Sequence, residues 1–247
     1  MPPAAGRIKI RVLHLDDDLV VVDKPAGLLS APGRGGTVAV PDLLRAQCPE
    51  LDADATLRIV DRLDQDASGI QVYARSLRAQ RHLVAQFTRG RVERVYMAVV
   101  SGYVEEDGEV DLRLAFDRRR NRMRTTKGRG QLAQTRYHIL ERLAGNTLLE
   151  CRPITGRTHQ IRVHLAAIGH PLSIDPLYGG GQSIVLSHYK PGYRTNRRHE
   201  ERPLIDRLTL HAARVAFEHP ATKQRLTFEA PPPKDLRAVI SQLGRLV

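Results

Sequence analysis

Two stretches concentrate the side chains able to do chemistry. The first is Asp61-Arg-Leu-Asp-Gln-Asp-Ala-Ser-Gly69, with three carboxylates in six residues just ahead of a glycine. The second, about ninety residues on, is Pro153-Ile-Thr-Gly-Arg-Thr-His-Gln-Ile-Arg-Val-His-Leu165, continuing through Gly169-His-Pro171 to Asp175-Pro-Leu-Tyr-Gly179. A carboxylate such as Asp64 can attack an electrophilic carbon, help hold a divalent cation, or bond the backbone of its own turn. Taken alone, the turn role is the commonest. A metal centre for phosphodiester chemistry would join Asp61 and Asp66 to His159, His164 and Asp175. The two histidines stand five residues apart, off a common helical face, so no metal is assigned. Arg157, His159, Arg162 and His164 fit a helix start that meets phosphate.

The elements that must position these blocks follow from apolar spacing. Ile10-Arg-Val-Leu-His14 and Leu19-Val-Val-Val-Asp23 read as two strands around Asp16-Asp-Asp18. Lys24-Pro-Ala-Gly27 turns the chain, a Gly/Pro-rich loop spans 32–36, and Val40 to Gln47 reads as a short helix. Ile70, Val72 and Ala74 alternate with Gln71, Tyr73 and Arg75, which predicts a half-buried strand straight after the first block. Ser76 caps a helix carrying Leu77, Leu83, Val84 and Phe87 and stopped by Gly90. Arg94 to Ser101 returns to strand. The segment 117–130 holds seven cations in fourteen residues between strand patterns, a protruding basic hairpin or loop. Leu148 to Arg152 is a strand, and Thr158 to Ile168 a helix with Ile161, Leu165 and Ile168 on one stripe. Residues 179–203 read as a polar, basic surface insertion. Two strands, Leu208 to Phe217 and Leu226 to Ala230, precede a last helix from Lys234. Without regular βαβ alternation, the pattern is one α+β domain on a mostly antiparallel sheet.

Composition narrows the partner. The 247 residues carry 39 basic and 27 acidic side chains, a net charge of +12, and only six of the cations are Lys. Guanidinium groups fork onto phosphates and stack on bases, so the excess suits a polyanion. Arg118, Arg119, Arg120, Arg122 and Arg124, and the stretch 190–202, are candidates for contact with a nucleic-acid backbone. Cys48 and Cys151 have no metal or disulfide spacing and fit a reducing compartment. No run nears the roughly eighteen apolar residues of a membrane span, and the N-terminus lacks a secretory core. These features point to the cytoplasm. The glycines at 33–36 and 179–181 lack the Lys-Ser/Thr ending of a phosphate loop, so no nucleotide cofactor is expected.

The two blocks in this order, with Lys24-Pro-Ala-Gly27 ahead and Arg94-Val-Tyr-Met-Ala98 before Gly102, resemble the pseudouridine synthases of the RluA type. The likeness runs from about Val12 to Pro231. It implies a single catalytic domain over 1–247, with a curved mixed sheet flanked by helices around a central cleft. It also implies a monomer, and with fewer than ten residues ahead of the first strand, the accessory RNA-binding domain that many relatives carry there is expected to be absent. The activity implied is isomerisation of a uridine in structured RNA, rRNA before tRNA, without a cofactor. By this resemblance Asp64 is the nucleophile, Tyr96 lies against the base and Arg162 pairs the carboxylate. Leu208 and Leu210 floor the uracil pocket, and Arg62, Arg157 and His159 are further substrate-binding residues. The chain departs from the family's usual residues with Asp61 in place of His, Ala67 in place of Thr and Arg94 in place of Lys. The rival readings are a catalytically silent RNA-binding factor on the same scaffold and a metal-dependent nuclease.

Overall fold

The structure is a computed structural model that describes residues 8–33, 37–51, 56–193 and 201–247. The first elements are β1 (Arg11–Leu15), β2 (Leu19–Lys24), α1 (Val40–Gln47), β3 (Arg58–Ile59), β4 (Ser68–Ala74), α2 (Leu77–Thr88) and β5 (Glu93–Ser101). Then come β6 (Gly108–Asp111), β7 (Arg113–Asp117), β8 (Arg122–Thr126), β9 (Gln134–Leu143), β10 (Asn146–Pro153) and α3 (Gln160–Ala167). A 3₁₀ turn at Leu186–His188 precedes β11 (Leu210–Glu218), β12 (Arg225–Glu229) and α4 (Lys234–Gly244). The class is α+β. The chain forms two compact units, one from the residues up to Arg94 with Ala212–Pro231, the other from Val95–His211 with Pro232–Val247.

In the first unit β2 pairs antiparallel with β1 and β4, β3 lies against the end of β4, and β12 pairs with β11. The apolar run of β2 parts to two faces because side chains alternate along a strand. Leu19 and Val21, with Ile70, Val72 and Ala74, meet Ala79 and Leu83 of α2 and Val215 and Phe217 of β11. Val20 and Val22, with Tyr73, meet Val40, Leu43 and Leu44 of α1. Each such side chain contributes about 1.5–3 kcal/mol on burial, enough for four consecutive residues to fasten a helix to either face. Ser76 caps α2 by accepting from Ala79 N at 3.1 Å, and Gly90 follows the helix with a φ of +66°.

The half-buried strand expected after the first block is not what forms. Ser68–Ala74 is buried along its whole length, since α1 covers the face that carries Gln71 and Tyr73. At its start Gly69 has a φ of +109°, and a Cβ there would lie 2.2 Å from the Ala212 carbonyl oxygen. Gly69→Ala is therefore expected to destabilise the protein by about 2–4 kcal/mol, from left-handed strain plus overpacking. A urea midpoint unmoved by this substitution would show that β4 and residue 212 do not approach so closely.

In the second unit β10 lies between β5 and β9, antiparallel to both, and β6 pairs with β9. Leu236, Val239 and Leu243 of α4 close over Val99, Leu143, Leu148, Ile174, Ile184 and Ile205. β7 and β8 stand apart as a two-stranded hairpin, one of the two forms, hairpin or loop, expected for the basic segment. α3 differs from its expected single stripe: Gln160–Leu165 are all buried, Arg162 and His164 included. Of the segment 179–203, residues 194–200 lie outside the described residues, as does part of the glycine loop. Ile184 and Ile205 bridge each other and enter the α4 core. No described helix is long and apolar enough to cross a membrane.

Candidate active site

Asp64 sits in a turn that the first unit braces from several sides. Ala67 N donates to the Asp64 carbonyl at 3.2 Å, closing the turn, and Asp64 itself is half-buried. One residue before, Leu63 N donates to Ser30 Oγ at 3.0 Å, and the same hydroxyl donates to the Leu63 carbonyl at 2.7 Å. Tyr73 fixes Ser30 in turn, donating to its carbonyl at 2.8 Å, and burial holds the phenol far above its usual range. One residue after, the Gln65 carbonyl accepts from Lys24 Nζ at 2.8 Å and from Gly27 N at 2.9 Å. Lys24 is fully buried and also donates to the carbonyls of Pro25 and Leu28. The Lys24-Pro-Ala-Gly27 block thus does more than turn the chain. It anchors the backbone on one side of Asp64 while Ser30 anchors the other.

Asp61 and Arg94 face each other beside the turn. Asp61 Oδ2 lies 3.6 Å from an Arg94 guanidinium nitrogen, and Asp61 Oδ1 accepts from Arg62 N at 2.8 Å. Burial pushes the Asp61 carboxyl up, while the Arg94 charge pulls it down. Arg62 is exposed beside them. Among the described residues no group of three or more His, Cys, Asp or Glu side chains converges as a metal site would.

The remaining site residues lie in the second unit. Tyr96 is buried on β5 opposite Cys151 of β10, whose thiol burial pushes up to about 12. Leu208 and Leu210 are buried, with Thr209 between them donating to the Val99 carbonyl at 2.7 Å. Arg162 is 5% exposed, and its Nε and one terminal nitrogen fork onto the two oxygens of Asp175, both at 2.8 Å. Asp175 is itself fully buried, and Oδ1 also accepts from Leu177 N at 3.0 Å and Tyr178 N at 3.2 Å. One acid thus shapes a turn and fixes the plane of a guanidinium.

Tyr178 packs under the same arginine, its ring centroid 5.0 Å from the Arg162 guanidinium carbon. Its hydroxyl bonds His159 Nδ1 at 2.9 Å, and His159 has a left-handed φ of 54° at the start of α3. Neither Asp175 nor Tyr178 was assigned a role from sequence beyond the unused metal set, although both stand in the quoted block. Two further basic residues of the block, Arg157 and His164, go elsewhere. Arg157 Nε donates to the Leu132 carbonyl at 3.0 Å. His164 is fully buried between Thr135 Oγ1 and the Leu112 carbonyl, and burial lowers its pKa.

The basic hairpin has a set tip. Asp117 Oδ1 accepts from Arg119 N at 3.0 Å and Arg120 N at 3.2 Å, and Asn121 takes a left-handed φ of 47°. Arg118, Arg119, Arg120 and Arg124 are exposed. Arg122 is only half-exposed: it lies over the Tyr178 ring at 5.5 Å and donates to the Leu177 carbonyl.

Residues 18–167 match the RNA pseudouridylate synthase family. The chain belongs to that family. It is 38% identical to ribosomal large subunit pseudouridine synthase D of Nitrosomonas europaea over 98% of its own length and 67% of the relative's. It is also 38% identical to the Neisseria meningitidis serogroup B protein of the same name, over 94% of itself and 60% of the relative. It thus spans about three fifths of that relative's length. Among solved structures, human RNA pseudouridylate synthase domain containing 1 superposes with a TM-score of 0.70 at 22% identity, covering 94% of this chain and 86% of that one. That likeness is one of fold: this is a pseudouridylate synthase fold. In this chain the Asp64 turn is held through Lys24 and Ser30.

Proposed function

We propose that this protein converts a uridine in structured RNA to pseudouridine, with Asp64 as the nucleophile. The observation that carries the reading is the Asp64 turn, bonded on both sides through Leu63 and Gln65, in a chain of this family. Isomerisation breaks the bond from C1′ to N1, forms one from C1′ to C5, moves the C5 proton off and returns one to N1. Atoms and charge balance within one nucleotide, so the reaction calls for no cofactor. A carboxylate that bonds the ring or the ribose holds the fragments while the base turns, dividing one hard step into easier ones.

The other residues take supporting parts. A base flipped out of its stack excludes water from the site, and a guanidinium nearby keeps the attacking carboxylate ionised. Arg162 has this role, and its fork on Asp175 sets its direction before substrate arrives. Tyr96 lies against the uracil and acts in removing the C5 proton. Leu208 and Leu210 floor the base, Arg62, Arg157 and His159 contact the nucleotide and its neighbours, and the hairpin arginines take the RNA backbone. The substrate proposed is large-subunit rRNA, as the names of the bacterial relatives indicate, met in the cytoplasm by a single catalytic domain acting as a monomer.

Tritium release tests this directly. Transcripts of rRNA carrying uridine labelled at C5 are expected to lose label on incubation with the protein alone, with tRNA transcripts losing little. Binding to rRNA with no release from any transcript would instead establish a silent factor. Loss of release with chelator would favour metal chemistry.

A further inference from the structure

We propose that Tyr178 is a positioning residue that couples the basic hairpin to Arg162 and His159, so that RNA seated on the hairpin sets the groups that meet the target nucleotide. The proposal rests on the reading of Arg162, His159 and the hairpin given above. Its own basis is a set of contacts that converge on one phenol.

The ring of Tyr178 has two guanidiniums near it, Arg162 from α3 at 5.0 Å and Arg122 from the hairpin at 5.5 Å. Both are placed to meet the negative potential of an aromatic face. The hydroxyl makes a second pair of links between the same two elements. It accepts from Met123 N of β8 at 3.1 Å and bonds His159 Nδ1 at 2.9 Å. The backbone adds a third, since Tyr178 N donates at 3.2 Å to the Asp175 oxygen that also receives Arg162.

A tyrosine kept only to fill space would not need this hydroxyl. Phenylalanine would pack equally well against Leu114, Ala133 and Val163, the small apolar cluster that Met123 and Tyr178 border. What the oxygen adds is a tie between a hairpin backbone and a histidine held in a left-handed conformation. Such a conformation persists when its surroundings over-determine it. The tip arginines are exposed, while Arg122 and Met123 close on Tyr178. A shift of β8 as phosphates engage Arg118, Arg119 and Arg120 therefore moves the phenol, and the phenol moves Arg162 and His159.

The test is a double-mutant cycle on kcat, read as tritium release from structured RNA at saturating protein. Tyr178→Phe keeps the ring between the guanidiniums and loses only the hydroxyl ties. It is expected to lower kcat about five- to 150-fold, the usual range of a coupling between sites, while the melting temperature and RNA affinity hold. Arg120→Ala, remote from the site at the hairpin tip, is expected to lower kcat in the wild-type background and to have little further effect beside Tyr178→Phe. Additive losses in the double variant would overturn the coupling, as would wild-type kcat in Tyr178→Phe. A wild-type protein that releases no tritium would instead overturn the synthase reading, and this proposal with it. The two failures are told apart by the wild-type arm alone.

Discussion

Asp64→Asn is expected to stop turnover while leaving the protein folded and RNA-bound. The loss in kcat should be on the order of 10⁴-fold or more, the scale on which enzymes lose activity when a covalent nucleophile is removed. Asparagine has the shape of aspartate and retains a carbonyl oxygen, but it carries no negative charge with which to attack carbon. The fold should tolerate the change, because asparagine keeps the shape of the side chain and the turn is braced through the backbone of Leu63, Asp64 and Gln65. Single-turnover tritium release reports the chemistry, and fluorescence anisotropy with labelled RNA reports binding. A variant that still turns over at the parent rate would take the nucleophile's role away from Asp64. A variant that neither binds nor melts cooperatively would show that the carboxylate had been a structural element of its turn.

That experiment matters because the sequence pointed to the proposed nucleophile more clearly than to the groups that hold its turn. Helix α1 and the cap of α2 were legible since they depend on neighbours in the chain: Asp42 folds back to Ala39 N and Ser76 receives Ala79 N. The basic hairpin was legible for the same reason. Strand β4 was misjudged because Gln71 and Tyr73 are polar and looked solvent-facing. In the fold Gln71 donates to the Asp61 carbonyl at 3.0 Å and Tyr73 to Ser30, partners ten and 43 residues away that periodicity cannot report. Helix α3 forms within the expected stretch, but more of it is buried than its apolar stripe predicts. Its polar residues are buried because each finds a partner, Arg162 donating to Asp175, Gln160 to Thr135 and His164 lying between Thr135 Oγ1 and the Leu112 carbonyl, so their burial reflects satisfied hydrogen bonds more than hydrophobic pattern. The buried Lys24 belongs with them, a charged side chain read as part of a turn and found on three carbonyls.

Asp175→Ala is expected to be the most damaging single change to stability in the second unit. It leaves the Arg162 guanidinium buried without its forked counter-ion and removes the acceptor for Leu177 N and Tyr178 N. Removing one partner of a buried ion pair costs about 3–5 kcal/mol, because the charge that remains has lost its hydration and received nothing in exchange. Urea unfolding of the single variant should show a loss of that size, and a loss under about 1 kcal/mol would mean that water or another group reaches Arg162 readily. The double variant Asp175→Leu with Arg162→Met separates what the pair does for the fold from what it does for the reaction. Replacing both charges by apolar groups of similar size is commonly neutral or stabilising, so most of the lost stability should return. By the role proposed for Arg162, activity should not return with the stability. A double variant that regained stability and turnover together would show that Arg162 serves the core alone.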